Sequence, residues 1–303
     1  MQKVTPNLWF NGNAKEAVDF YTSVFPDAKV VATSHYPKSK EEGLADFQLN
    51  MAGEILTIEF EIMDFRFVAI NAGSEFAPNP SISFIVGCEA KEEVDSLWNK
   101  LSESGSSTSS GKAKVLMPLD TYPFSERYGW IQDRYGVSWQ LILTKPEGDE
   151  RPKIVPSLLF VREKSRKAKE ARDFYLSVFK NSQEGAIVYF EEDTQMGQKK
   201  GDVMFSDFKL EDTWIAAMGG GDQHEFDFNE GISLSIACQD QDEIDYYWEK
   251  FIADGGQESV CGWLKDKYGV SWQVAPESME DLMKKPGAFK TMMGQKKIII
   301  AEY

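Results

Sequence analysis

The feature that most constrains this chain is an internal repeat. The segment AKEAVDFY at 14–21 returns as AKEARDFY at 168–175, and GWIQDRYGVSWQ at 129–140 returns as GWLKDKYGVSWQ at 262–273. A repeat of about 150 residues indicates a duplicated domain. We predict domains at 1–146 and 152–303, joined by a linker with Pro, Gly and charged residues. The second half is about seventeen residues shorter after Gly256.

Each half contains two similar runs of elements. In the first half the patterns predict a strand over 4–10, a helix over 14–25 and strands over 29–35, 44–51 and 65–70. Asn13 and Glu16 have the spacing of a helix capping box. A strand near 82–86, a helix over 94–101 and three further strands follow, with a flexible Gly/Ser loop over 102–111. The order is βαβββ four times in the whole chain, which predicts an α+β fold.

Composition excludes several classes of partner. The chain has 303 residues, with 33 basic and 49 acidic ones, and a net charge of −16. Nucleic acid and anionic membranes need a basic surface, so we expect neither as a partner. No apolar run approaches the roughly 18 residues of a membrane span, and the N-terminal residues do not read as a signal peptide. Three scattered cysteines favour a reducing compartment, and we expect a cytoplasmic protein.

Several motifs carry a family resemblance. They are LWFNGN at 8–13 leading into AVDFY at 17–21, YGVSWQ at 135–140 and again at 268–273, FDFNE at 226–230, and CGWLKD at 261–266. With these motifs each half resembles the vicinal oxygen chelate superfamily, which includes glyoxalases, bleomycin-resistance proteins and dioxygenases. The similarity is greatest to its PhnB-like branch, which carries the family name 3-demethylubiquinone-9 3-methyltransferase. The resemblance implies tandem domains whose four βαβββ modules form two curled mixed sheets around clefts.

The resemblance also implies where a catalytic divalent metal would bind. The metal-ligand positions fall on Pro6, Ser81 and Gln140 in the first half, with a further one near Ala69. The corresponding positions of the second half are Pro156, Gly231, Gln273 and Ala217. None offers the carboxylate or imidazole that such cations prefer. We therefore expect no metal and no cofactor, and Glu230 beside Gly231 is the one alternative ligand.

Strand alternation predicts which residues face the clefts. If Gln140 and Gln273 face inward, then Trp139 and Trp272 face the helices. The candidate cleft residues are Ser83, Trp130, Ser138, Gln140, His224, Glu230, Ser233, Cys261, Trp263, Ser271 and Gln273. His224 is either a solvated loop residue or a general base. Cys261 is either a shielded thiol or a nucleophile, but it has no histidine at a useful spacing.

Three functions remain open at this point. The first is a metal-free protein that binds a small-molecule ligand in the clefts. The second is an enzyme, either a lyase or dioxygenase of the superfamily or a methyltransferase as the family name implies. Against the latter, the Gly-rich segment 219–222 is followed by a strand pattern and not by the helix of a nucleotide-type site. The third is a non-catalytic structural module.

Assembly follows from the duplication. A single half would expose a sheet edge, so we expect the two halves to pair as an intramolecular pseudo-dimer. Homodimerisation of the whole chain stays open. The apolar tail after Pro286 is expected to pack either on the other half or on a second chain.

Overall fold

The structure is a computed structural model that describes residues 2–103, 111–144 and 150–303. Most of the expected Gly/Ser loop and most of the expected linker lie outside the described residues. The strands of the first half are β1 Val4–Phe10, β2 Lys29–His35, β3 Ile55–Ile62, β4 Phe65–Asn71, β5 Ile82–Cys88, β6 Lys114–Tyr122, β7 Ser125–Gln132 and β8 Ser138–Leu143. Those of the second half are β9 Ile154–Phe160, β10 Ser182–Tyr189, β11 Val203–Leu210, β12 Thr213–Gly219, β13 Ile232–Cys238, β14 Gln257–Glu258, β15 Trp263–Lys265 and β16 Ser271–Pro276.

Six α-helices accompany these strands in the described part of the chain. They are α1 Ala14–Val24, α2 Lys91–Ser102, α3 Ala168–Val178, α4 Gln241–Ile252, α5 Met279–Met283 and α6 Ala288–Gly294. Within the described residues, no helix is both long and apolar enough to cross a membrane.

The strands form two mixed sheets of eight strands each. The first sheet has the order β14-β15-β16-β13-β1-β4-β3-β2, and the second has β10-β11-β12-β9-β5-β8-β7-β6. Antiparallel pairs β1–β13 and β5–β9 join the two halves of the chain. Each sheet therefore combines one βαβββ module from each half. The predicted α+β class with four modules and two mixed sheets is confirmed.

The helices lie on one face of the sheets and build a core within each half. Trp139 of β8 packs against two aromatic residues of the α1 region, with ring centroids 5.5 Å from Tyr21 and 4.7 Å from Phe25. In the second half Trp272 packs in the same way against Tyr175 and Phe179. Both indoles are fully buried. They face the helices, as strand alternation predicted.

A buried aspartate organises the repeated turn before β8 and β16. Asp133 Oδ1 accepts hydrogen bonds from the backbone N–H groups of Tyr135 at 2.8 Å and Val137 at 3.1 Å. Its Oδ2 accepts from Trp139 Nε1 at 2.9 Å. Gly136 has φ +89, which explains the glycine of the motif. Asp266 makes the equivalent three bonds in the second half, so the YGVSWQ motif is first of all a turn that aligns the closing strand.

Two local predictions are wrong. The expected strand over 44–51 is instead a 3-10 helix over Asp46–Met51, and β3 begins only at Ile55. The apolar side chains of the 3-10 helix do not alternate into a core, since Phe47 is 73% and Leu49 is 45% exposed.

The expected capping box is also absent. The Asn13 side chain makes no capping hydrogen bond. The oxygen of Asn71, at the end of β4, accepts from the Ala14 N–H at 3.0 Å instead. Glu16 accepts a hydrogen bond from the Tyr135 hydroxyl at 3.0 Å. A neighbouring strand therefore supplies the cap that local spacing assigned to Asn13.

The C-terminal tail connects the two edges of the first sheet. On α6, Phe289 is buried and its ring centroid lies 6.1 Å from that of Tyr36, which follows β2. Beyond α6, the carbonyls of Gln295 and Lys296 accept hydrogen bonds from the backbone of residues 261 and 262, just before β15. The tail thus packs on the first half of the chain, which is one of the two arrangements expected.

Candidate ligand clefts

The face of each sheet opposite the helices is called the inner face below. In the second sheet Ser83 of β5 lies opposite Ser157 of β9 and beside Ser138 of β8. In the first sheet Asn7 of β1 lies opposite Ser233 of β13. The register therefore places a row of small polar residues along the middle of each inner face.

A hydrogen-bonded chain of neutral side chains lies on the inner face of the second sheet. The Tyr128 hydroxyl donates to Gln140 Oε1 at 2.7 Å, and Gln140 Nε2 donates to Ser83 Oγ at 2.8 Å. All three side chains are buried. Near these hydrogen bonds, three polar atoms are buried without a hydrogen-bond partner among the described residues: Trp130 Nε1, Ser138 Oγ and Ser157 Oγ.

The inner face of the first sheet repeats part of this arrangement and adds aromatic rings. Gln273 Nε2 donates to Ser233 Oγ at 2.9 Å, as Gln140 does to Ser83. The rings of Trp9 and Trp263 meet edge to face with centroids 5.9 Å apart. Phe76 adds a third ring, 5.2 Å from Trp9. These three aromatic residues are partly exposed, so they offer apolar surface to a ligand.

Glu230 is the charged candidate of the first sheet. Its Oε1 lies 2.9 Å from Lys265 Nζ, and its side chain is 22% exposed. Its Oε2 is buried and has no hydrogen-bond partner within the described residues. Lys265 lies opposite Ser271, whose side chain is buried. The structure thus brings five of the expected cleft residues to one surface: Glu230, Ser233, Trp263, Ser271 and Gln273.

The expected register of the metal positions is wrong on four strands, β1 and β4 in the first half and β9 and β12 in the second. Ala69 and Ala217 lie in the hydrophobic core. Pro6 pairs with Leu234 and Pro156 with Phe84, which are both core residues, so the two prolines also face the helices. On these strands the residue that faces inward is the neighbour of the expected one, because successive side chains of a strand point to opposite faces.

The residues that do face inward still do not suit a divalent cation. On the first sheet they are Asn7, Val68, Ser233 and Gln273, and on the second Ser157, Ala216, Ser83 and Gln140. No carboxylate or imidazole is among them, and both glutamine amides already bond to serine. Across residues 2–103, 111–144 and 150–303 no three His, Cys, Asp or Glu side chains converge as metal ligands would. The donor set therefore does not fit the metal that the superfamily resemblance implies.

His224 and Cys261 make contacts of their own outside the glutamine–serine pairs. The His224 ring lies 4.9 Å from the Phe226 ring in the loop after β12, and burial lowers its pKa. The Cys261 sulfur lies 3.7 Å from the sulfur of Met293 in the tail. Burial raises the pKa of Cys261 to about 11, so the thiol is protonated near neutral pH and a poor nucleophile.

Sequence reasoning missed several inward residues. Tyr128 and Lys265 could have been found by extending the alternation from Trp130 and Trp263. Asn7 and Ser157 required the correct register of β1 and β9, which sequence alone did not provide.

A polar depression of about 570 Å³ near β10 was also missed. Its lining includes Trp214, over whose ring the Arg151 guanidinium carbon lies 3.8 Å from the centroid. Arg151 Nε also donates to Asp207 Oδ2 at 2.7 Å. Arg151 is thus held by protein groups in this arrangement.

The fold and these inner faces define the class of protein. Maize glyoxalase I is 9% identical over 91% of this chain and 92% of that chain, with a TM-score of 0.54. At this identity the likeness concerns the fold alone, which is the fold of glyoxalase I.

The family follows from a more specific match. The family model described as 3-demethylubiquinone-9 3-methyltransferase matches residues 2–142 and 152–275, so the chain belongs to this family. The PhnB protein from Bacillus cereus, which carries the same family name, is 35% identical and aligns with 47% of this chain and 100% of its own length, with a TM-score of 0.38. Protein PA1353 from Pseudomonas aeruginosa is 22% identical over 47% of this chain and 98% of that chain, with a TM-score of 0.37. No curated protein matches the chain.

Proposed function

We propose that this chain is a metal-free protein that binds a small-molecule ligand against the inner face of a sheet. The observation that carries the proposal is the pair of glutamine–serine hydrogen bonds, Gln140–Ser83 and Gln273–Ser233, at equivalent places in the two sheets. The side chains there are neutral amides and hydroxyls. Such groups orient a neutral or polar organic molecule but supply no charge to hold a cation.

The binding function is tested by a thermal-shift screen of the whole chain against a broad library of small organic molecules. A ligand that binds only the folded state raises the melting temperature by mass action. We expect at least one stabilising class of compound, with its shift reduced in the Gln273→Ala variant. Silence over the whole library would contradict the proposal.

Metal analysis tests the proposal that the protein holds no metal ion. The chain is purified without chelators and its content of Zn, Mn, Fe, Ni and Co is measured by mass spectrometry. We expect far less than one ion per chain and no change in melting temperature on dialysis against EDTA. A stoichiometric ion that is lost on dialysis together with stability would overturn the metal-free assignment.

The family name favours a second candidate, transfer of a methyl group. That activity needs a site for a methyl donor. Gly219 ends β12, and Gly220 and Gly221 begin the loop that leads to β13, so this segment lacks the strand–turn–helix of a nucleotide-type site. Including S-adenosylmethionine in the screen discriminates the two functions, because tight binding of that donor favours the enzyme.

We also propose the domain division at 1–146 and 152–303, and a single chain as its own pseudo-dimer. The support is the strand pairing between halves, together with the core that each half builds around Trp139 or Trp272. The three cysteines are unpaired, which supports the cytoplasm as the compartment.

A further inference from the structure

The two inner faces differ in how accessible their equivalent residues are. Gln140 is 3% and Trp130 is 8% exposed in the second sheet. Their counterparts in the first sheet, Gln273 and Trp263, are both partly exposed. The duplicated positions have therefore acquired different surroundings.

The cause of this difference is the length of one hairpin. In the second sheet β6 and β7 have nine and eight residues, whereas β14 and β15 have two and three. Side chains of the long hairpin join a separate apolar cluster with Leu159 and Val161 of the β9 region. From the hairpin this cluster includes Leu116, Met117, Tyr122, Tyr128 and Trp130. Side chains of the long hairpin cover the second inner face, whereas beside the shorter hairpin Gln273 and Trp263 stay partly exposed.

We infer that the first sheet alone carries the ligand site, and that the site takes a flat aromatic ligand with a protonated nitrogen that donates hydrogen bonds. This inference rests on the proposed binding function and names its ligand class. The rings of Trp9, Trp263 and Phe76 supply partly exposed aromatic surface. Such surface favours planar rings, and cations above all.

The carboxylate of Glu230 supplies the polar part of the argument. A buried carboxylate oxygen without a donor is costly, and a ligand N–H that reached Oε2 would remove that cost. The other oxygen is already paired with Lys265. The net charge of −16 adds a long-range preference for a cation over an anion.

The test uses three dyes that share one ring system. At pH 8, 9-aminoacridine is a cation with N–H donors, acridine is neutral, and acridine-9-carboxylate is an anion. Binding to the whole chain is followed by dye fluorescence, and the stoichiometry is obtained by titration. We expect one 9-aminoacridine per chain, with at least tenfold weaker binding of acridine and weaker still of the carboxylate.

Matched variants assign the contacts. Glu230→Gln is expected to weaken 9-aminoacridine binding about tenfold, the range of one charge-assisted hydrogen bond. Glu225→Gln removes the same charge from an exposed position in the same loop and is expected to leave the affinity unchanged. Lys265→Gln frees both oxygens of Glu230 and is expected to tighten binding. Because two of these variants change affinity in opposite directions, loss of folding cannot imitate the result.

Two tryptophan variants locate the site. Trp263→Phe is expected to weaken binding several-fold, and Trp130→Phe is expected to leave it unchanged. The reverse order, or two dyes per chain, would overturn the assignment to the first sheet. Equal affinity for acridine, or no effect of Glu230→Gln, would overturn the ligand class. If the three dyes do not bind while the library yields other ligands, this inference fails and the binding function stands; silence in both experiments rejects both.

Discussion

At the scale of single residues, the buried carboxyl group of Asp133 shows two opposed effects. Burial raises its pKa to about 6, while the donors from Trp139 and the backbone of Tyr135 oppose that rise. The carboxyl has an ordinary pKa of about 3.9 in an unfolded chain. The folded state therefore binds the proton more tightly than the unfolded state does. The resulting stabilisation is complete below about pH 4 and is lost as the pH rises through about 6.

This linkage predicts the pH dependence of one variant. Asp133→Asn does not titrate. Its side chain has only one oxygen, so an N–H₂ donor must face either Trp139 or the backbone N–H groups that Asp133 accepts from. We expect it to be less stable than the wild type, by a margin that shrinks by about 1–2 kcal/mol between pH 4.5 and pH 7. Urea unfolding of both proteins at the two pH values measures the margin. A margin that grew with pH would mean that the donors outweigh burial.

Gly231 illustrates a residue that a metal argument cannot explain. A Cβ placed there would lie 2.0 Å from the carbonyl oxygen of Ala77, in the loop from the other half of the chain. The glycine therefore permits two loops to approach each other. The same loops are joined by Asn79 Nδ2 to the Asp227 carbonyl and by Asn229 Nδ2 to the Ala77 carbonyl.

Because of this close approach, alanine at Gly231 and alanine at the equivalent Ser81 are expected to change stability by different amounts. Gly231→Ala is expected to lower the free energy of unfolding by about 2 kcal/mol or more, because backbone must move to relieve the clash. Ser81→Ala, at the equivalent position of the first half, removes one hydroxyl and adds no atom. It is expected to cost less than about 1 kcal/mol. Chemical denaturation measures both, and equal losses would contradict the steric account.

At the scale of elements, α6 shows that a short C-terminal helix can be part of the fold. Phe289 is 6% exposed and packs with Tyr36 and Leu44 in a small apolar cluster. Gly43 is so close to Lys290 that a Cβ would lie 2.9 Å from its backbone nitrogen. The helix therefore anchors the tail to the loop after β2.

Truncating the Phe289 side chain is expected to cause a measurable loss of stability. Phe289→Ala is expected to lower the free energy of unfolding by about 3 kcal/mol, the usual range for a buried phenylalanine. Phe47→Ala is the matched control, because Phe47 is 73% exposed, and it is expected to change stability by less than about 0.5 kcal/mol. Thermal and urea unfolding compare them. A Phe289 effect as small as the control would show that α6 is not anchored in solution.

At the scale of the whole molecule, each half is bound to the other by strand pairing. If residues 1–146 were separated, β1 would lose β13 and β5 would lose β9. Both strands would then present unpaired edges. Because β1 and β9 are repeats of each other, as are β5 and β13, a second copy of the same half could supply both partners.

This symmetry predicts the behaviour of separated halves. The fragment 1–146 is expected to form a homodimer, and an equimolar mixture with the fragment 152–303 is expected to form a 1:1 complex. Light scattering coupled to size exclusion measures the masses. Stable monomers that ignore each other would contradict the shared sheets.

Local patterns predicted those parts of the molecule that depend on neighbours in sequence. The repeat established four βαβββ modules, and strand alternation placed Trp139 against the helices and Gln140 away from them. The Asn71 cap escaped prediction because it joins residues that are 57 positions apart in the chain. The 3-10 helix at Asp46–Met51 also escaped prediction, although its hydrogen bonds are local.

By itself the sequence determined the module order and the faces of the closing strands β8 and β16, since both follow from spacing along one chain. Only the tertiary structure decided that each sheet joins modules from both halves, that Pro6 faces the core, and that equivalent residues are buried on one inner face and partly exposed on the other. Those properties depend on how far one hairpin reaches and on strand register, which is set by pairing between strands that are distant in the chain.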